Sequence, residues 1–217
     1  MKRTLTALAA LALIALGGMF AVPQTLGFDA QAQEAADIDT SMIKDMSIGN
    51  PDATVTIIEY ASFTCPHCAS FHANVFKDLK ADYIDTGKIN FIHREIYFDR
   101  FGLWAGIVAR CGENAENRYF GIADMIYEQQ ATWARQDDPN AIVASLRNIG
   151  KTAGLSDAEL DACFQDADKA QALYATFVKN SEADNITSTP SFVINGEKYS
   201  NMAYPELQQI LDAALGS

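Results

Sequence analysis

The sequence predicts an α/β fold: a mixed sheet with an all-helical block inserted into it. Three observations predict it. A strand, a helix and a second strand follow one another with short links in residues 51–99. Helical signals then run without strand signals through residues 100–185. Strand character returns in 186–217 as a hairpin followed by a closing helix. Strand, helix and strand with short links form a parallel βαβ unit. The block therefore interrupts a sheet made of a βαβ half and a ββα half.

The first 32 residues differ in kind. Lys2 and Arg3 precede an almost unbroken apolar run from Leu5 to Val22, and Ala30-Gln31-Ala32 has the small-x-small form of a cleavage site. Residues 1–32 read as a secretory signal peptide cut after Ala32. The alternative is an N-terminal membrane anchor, because a run of about 18 residues is borderline for spanning a bilayer. Residues 33–50 are weakly patterned and read as an extension that packs late or stays mobile. Gly49-Asn50-Pro51-Asp52 signals a turn. Residues 53–63 (ATVTIIEYASF) are apolar nearly throughout, as in a central strand covered on both faces. In the segment that follows, Phe71, Val75, Leu79 and Tyr83 recur every four residues, and Gly87 ends that helix. Residues 88–98 (KINFIHREIYF) form the second strand. The block 100–185 holds about five helices, with starts at Asp138-Pro139 and at Ser156-Asp157-Ala158-Glu159, the latter a capping-box pattern. In 189–201, Asn195-Gly196 marks a two-residue hairpin turn. Residues 204–215 close the chain as a helix with Pro205 in its first turn.

Composition narrows the function. The net charge is −12 and no basic run follows Arg3, so nucleic acid is a poor partner, because binding phosphates needs clustered Lys and Arg. Export changes how the four cysteines, Cys65, Cys68, Cys111 and Cys163, are read: an even number in an exported chain suggests two disulfides. A chain this long does not depend on disulfides for its core, so one pair is free to serve chemistry.

That pair is Cys65-Pro66-His67-Cys68. A strand feeds directly into Cys65 and a helix begins there, with Pro66 fitting its first position. Unpaired N–H groups and the positive end of the helix dipole favour thiolate at Cys65. His67 offers a further donor or partial positive charge. Cys68, three residues on, shares the face, so the two sulfurs can bond within one turn. A stabilised thiolate favours the reduced form and makes the disulfide a strong oxidant. Zinc is the rival, with His72 and His93 available as ligands, but no second close ligand pair appears. A purely structural Cys65–Cys68 bridge closes too small a loop to constrain much chain entropy. The plain reading of His72 is a partly buried or surface histidine, and that of His93 a packing residue in a strand.

On the residues FTCPHC after an apolar strand, and Thr189-Pro190 before SFVING, the chain resembles the thioredoxin-like, DsbA-type thiol:disulfide oxidoreductases of the bacterial periplasm. The likeness covers roughly residues 50–215, including the helical insertion. It implies that Cys65 is the exposed nucleophile and Cys68 the buried resolving cysteine. It implies a cis Thr189-Pro190 facing the dithiol, where the residue before the proline offers backbone groups to an extended substrate. Glu59 matches the family's buried acid, with a role in proton management for the buried thiol. The basic partner that the next strand often supplies is not placed, because that strand offers His93, Arg94 or Glu95. The resemblance further implies recharging by a DsbB-type, quinone-linked membrane oxidase, reduced exported polypeptides as substrates, and no cofactor or metal beyond the dithiol.

Trp104, Val108 and Cys111 share one helical stripe, and Leu160, Cys163 and Phe164 another, so both cysteines face the core and are expected to form a structural disulfide. Two buried thiols, or a bridge that tunes the redox poise, are the alternatives. The leading function is donation of the Cys65–Cys68 disulfide to exported proteins. An isomerase or reductase on the same scaffold comes second. Isomerases of this kind carry a dimerisation domain that residues 33–50 are too short to form, so a monomer is expected. A zinc-loaded or chaperone-like binding module, with no catalysis, comes third.

Overall fold

The computed structural model describes residues 38–216, so the signal segment and the start of the extension lie outside the described residues. The sheet has five strands: β1 (Met46–Gly49), β2 (Val55–Ala61), β3 (Ile89–Glu95), β4 (Ser191–Ile194) and β5 (Glu197–Ser200), in the order β1-β3-β2-β4-β5. Only β2 and β3 run parallel, and the other neighbours are antiparallel. A parallel pair requires a crossover. Helix α1 supplies it, running without a break from Pro66 through Ile84.

Part of the extension is thus a strand, unlike the loosely packed tail the sequence suggested. Met46 is buried and pairs with His93 across the β1–β3 ladder. Four residues carry too little alternation to be recognised alone, and β3 provides the edge they complete.

Helix α1 contains two wide turns, His72–Phe76 and Lys80–Ile84, in π-helical form. Four-residue spacing drifts around an ordinary helix, while wider turns hold it to one face. Phe71, Val75, Leu79 and Tyr83 are accordingly all buried. They pack with Val55, Ile57 and Phe91 and with Leu207 and Leu211 of α8 (Tyr204–Leu215).

The insertion comprises α2 (Arg100–Ala109), α3 (Ala115–Glu128), the single turn α4 (Gln130–Trp133), α5 (Pro139–Thr152), α6 (Asp157–Gln165) and α7 (Ala167–Ala183). Asp99, Asp138 and Ser156 cap α2, α5 and α6, and Ser156 with Glu159 completes a capping box. The insertion's core, including Val108, Ile122, Leu146 and Leu160, is continuous with Ala61, Phe63 and Cys68. The helical block therefore rests on the junction of β2 and α1. Phe177 of α7 covers the opposite sheet face at Tyr60, Ile96 and Val193. No helix among the described residues is long and apolar enough to cross a membrane.

Candidate active site at the β2–α1 junction

Cys65 is the N-cap residue of α1, with extended backbone and Pro66 in the first turn. Cys65 is half-buried and Cys68 fully buried, and both are free thiols. Pro66 and His67 are exposed between them. Thr189 is half-buried and Pro190 buried; their peptide bond is cis, and the Thr189 carbonyl lies 3.6 Å from Cys65 Sγ, accepting from the thiol.

The two sulfurs have opposite electrostatics. The Cys65 thiol is lowered from 9.0 to about 5, first by the hydrogen bond from Cys68, against the opposing effect of burial, and then by the Thr189 side chain and the backbone N–H groups of Cys68 and His67. The Cys68 thiol is pushed far up by burial, by its bond to Cys65 and by the negative charge of Glu59. One sulfur is thus held as an accessible thiolate and the other as a buried thiol. This pairing suits a disulfide that opens at Cys65 and leaves a protonated Cys68.

Glu59 sits on the β2 face that looks toward α1 and is fully buried. Its partner comes from α1 rather than from β3: His72 Nε2 lies 3.0 Å from Glu59 Oε2. His93, opposite Glu59 in the β2–β3 register, stands farther away at 3.9 Å. His72 is buried too, deeper than the partly buried or surface position the sequence suggested. Burial works against charge on His72, but Glu59 and Asp124 outweigh it and raise its pKa from 6.5 to about 9. Burial lowers that of His93. Arg94 points elsewhere, to Asp45 and Tyr60. Glu95 pairs with Arg110 at 2.6 and 2.8 Å.

Glu59, His72 and His93 form a group whose ligand-type atoms all lie within 4.8 Å of one another. Those atoms are engaged: Glu59 with His72, and His93 with the Tyr119 and Tyr127 hydroxyls. It is the one such group among the described residues, and neither Cys65 nor Cys68 belongs to it.

Sequence reasoning missed three supports. Gln130 of α4 donates through Nε2 to the carbonyls of Phe63 at 2.8 Å and Cys65 at 2.9 Å, fixing the loop that carries the nucleophile. Thr64 Oγ1 donates to Asp99 Oδ2 at 2.7 Å, tying that loop to the α2 cap. Tyr127 stacks on His72 with ring centroids 4.1 Å apart. An aspartate before a helical run is the one signal that could have found Asp99, which the sequence reading did not use; nothing near Gln130 or Tyr127 in sequence marks them. Apart from this site, Cys111 and Cys163 are joined in a disulfide within the insertion.

The thioredoxin family model matches residues 41–213. A Rickettsia bellii protein whose name places it among protein-disulfide oxidoreductases is 33% identical over 171 residues, covering 79% of this chain and 64% of its own length. The chain thus spans less than two thirds of that relative. Disulfide bond formation protein D of Bacillus subtilis is 22% identical over 85% of this chain and 83% of its own. The crystal structure of Wolbachia pipientis alpha-DsbA1 superposes with a TM-score of 0.73 and 27% identity, covering 83% of this chain and 94% of that one.

Proposed function

The chain belongs to the thioredoxin family, in its DsbA-type branch, and on that premise we propose that it is a protein thiol:disulfide oxidoreductase that donates its Cys65–Cys68 disulfide to exported polypeptides. A substrate thiolate attacks Cys65 Sγ. The Cys65–Cys68 bond breaks, and Cys68 leaves and takes up a proton. A second substrate thiolate then attacks the substrate sulfur of the mixed disulfide, and Cys65 leaves as thiolate. The substrate is oxidised by two electrons and the dithiol reduced by two. Thr189 and Pro190 flank the incoming chain, and Glu59 manages the Cys68 proton. The chemistry needs no cofactor beyond the dithiol. A DsbB-type, quinone-linked membrane oxidase restores the disulfide. The working form is a monomer in the periplasm, delivered there by a signal peptide cut after Ala32.

The observation that carries this reading is the placement of the two sulfurs, Cys65 half-buried at the N-cap of α1 beside the cis Thr189-Pro190 bond and Cys68 fully buried one turn on, a placement that draws the Cys65 thiol down and pushes the Cys68 thiol up. A stabilised Cys65 thiolate favours the reduced form, which makes the disulfide a ready oxidant. Two measurements test it. The oxidised protein should oxidise a reduced dithiol peptide stoichiometrically, and Cys65→Ser should be inert. Equilibration with glutathione should give a strongly oxidising potential. A strongly reducing one would assign the chain to reduction instead, and full activity in Cys65→Ser would remove the catalytic role.

A further inference from the structure

The site has one buried ion pair that dithiol exchange does not by itself require, and it opens toward a groove. Between α1 and helices α3 and α4 lies a cavity of about 660 Å³, bordered by Pro66, Ala69, His72, Asp124, Tyr127 and Arg135. His72 stands at its inner wall. Nε2 of that ring meets Glu59 Oε2 at 3.0 Å. Nδ1, on the opposite edge, makes no hydrogen bond and lies 3.8 Å from Asp124 Oδ1. Asp124 is 53% exposed, while the His72 side chain is 4% exposed. Glu59 in turn keeps Oε1 free of any hydrogen bond, and its charge acts on Cys68. One imidazole therefore bridges a solvated carboxylate and a buried one, with an acidic or basic nitrogen facing each. The placement coincides with the first wide turn of α1, which begins at His72. Such turns are rare and concentrate at functional positions.

We propose that His72 is a proton relay between the groove at Asp124 and the buried Glu59, and through Glu59 to the Cys68 sulfur. The inference deepens the oxidoreductase reading and rests on it. In the donating direction, attack at Cys65 Sγ breaks the S–S bond and places a negative charge on Cys68 inside the protein. His72, held as an imidazolium, passes its Nε2 proton to the Glu59 carboxylate, Glu59 hands it on to that sulfur, and solvent in the groove past Asp124 then recharges the imidazole. One proton enters for each disulfide opened, and the reverse path removes it when the disulfide reforms. Neither carboxylate could do this alone. Asp124 lies on α3 at the groove, and Glu59 is sealed beneath α1.

Other groups face His72 from every element around it. They are Glu59 on β2, His93 on β3, Asp124 and Tyr127 on α3, and Cys68 one turn back on α1. Of these, Tyr127 stays protonated to well above neutrality and His93 stays neutral, because burial dominates both, and Cys68 has no proton to lose while it is joined to Cys65. A change of rate near pH 9 therefore belongs to His72.

The test is single-turnover reduction of the oxidised full chain by dithiothreitol, read by alkylation and mass, with rates corrected for reductant ionisation. The wild-type rate should be level up to about pH 9 and fall above it. His72→Gln keeps a donor for Glu59 but cannot shuttle a proton. It should react at least about a hundredfold more slowly at neutral pH and lose the bend, in line with the usual scale of general acid catalysis. Asp124→Asn removes an exposed anion and leaves the core intact. Its bend should move to lower pH, because Asp124 helps hold His72 charged. The Cys65 thiolate titration should stay in place in both variants. A His72→Gln rate within twofold of wild type with the same bend overturns the relay, and so does an Asp124→Asn profile with an unmoved bend. Should His72→Gln fail to fold, the Asp124→Asn profile decides alone. A wild-type disulfide no more reactive than one in an unfolded peptide would instead sink the oxidoreductase reading, and the relay with it.

Discussion

Each sulfur at the β2–α1 junction answers to a different neighbourhood, and pH separates them. Cys65 has a folded-state pKa of about 5 against 9.0 for an ordinary thiol. A depressed pKa means that the thiolate stabilises the folded, reduced protein fully above about 9, and that this contribution is lost as pH falls through 5. Cys68 stays protonated across that window, since burial and Glu59 push it upward. The stability of reduced protein minus that of oxidised protein should therefore grow steadily from pH 5 to pH 9. Taking the difference cancels groups that titrate alike in both redox states. Paired denaturant titrations check this, and a difference that stays flat would mean that Cys65 is an ordinary thiol. Ultraviolet titration of the thiolate gives the same midpoint directly. Cys65 and Cys68 were legible because a short motif at a strand-to-helix switch fixes their surroundings locally. His72 was not. Its spacing from Cys68 suits a surface position as well as a buried one, and only the crossover of α1 above β2 sets it against Glu59.

At the scale of the element, the sheet is tied to the insertion by a buried ion pair. Glu95 ends β3, and Arg110 follows α2. Arg110 donates twice to Glu95 and once, at 2.8 Å, to the Lys44 carbonyl just before β1. Tyr119 of α3 donates to Glu95 Oε1 at 2.7 Å and meets His93 Nδ1 at the same distance, so three elements close on one carboxylate. Glu95→Ala would leave a buried guanidinium unpaired, and a loss of about 3–5 kcal/mol is expected from urea unfolding. Replacing both partners with apolar residues of like size should cost less, because no charge is then stranded. A smaller effect is expected where the element ends in water: Ser156→Ala removes the capping box of α6 and should cost about 1 kcal/mol. Elements defined by local chemistry were legible in the sequence. The Asn195-Gly196 turn has both residues at positive φ, 48° and 89°, between paired Ile194 and Glu197. Elements defined by a partner were not. Strand β1 exists because β3 offers an edge, and the wide turns of α1 arise from packing that holds four-residue spacing on one face.

For the whole molecule, the question is what keeps the insertion seated on the active site. Gln130 reaches from α4 to the Cys65 loop, and Cys68 shares a core with Val108, Ile122 and Leu160. Any loosening of the block would therefore loosen the loop that carries the nucleophile. The Cys111–Cys163 disulfide joins the residue group after α2 to α6 across 52 positions. Closing a loop of that length removes enough freedom from the unfolded chain to stabilise the fold by about 4 kcal/mol. For a chain of this size, that corresponds to a melting temperature roughly 8–16 °C lower when both cysteines become alanine. The bridge does not touch Cys65, so the Cys65 thiolate midpoint should remain near 5 in the double alanine variant. Differential scanning calorimetry and thiolate titration on the same sample separate the two effects. A fall in melting temperature with an unmoved midpoint places the second bridge in the scaffold. An unmoved melting temperature with a shifted midpoint would make it part of the redox machinery, transmitted along Arg110, Glu95, Tyr119 and His93 toward Glu59.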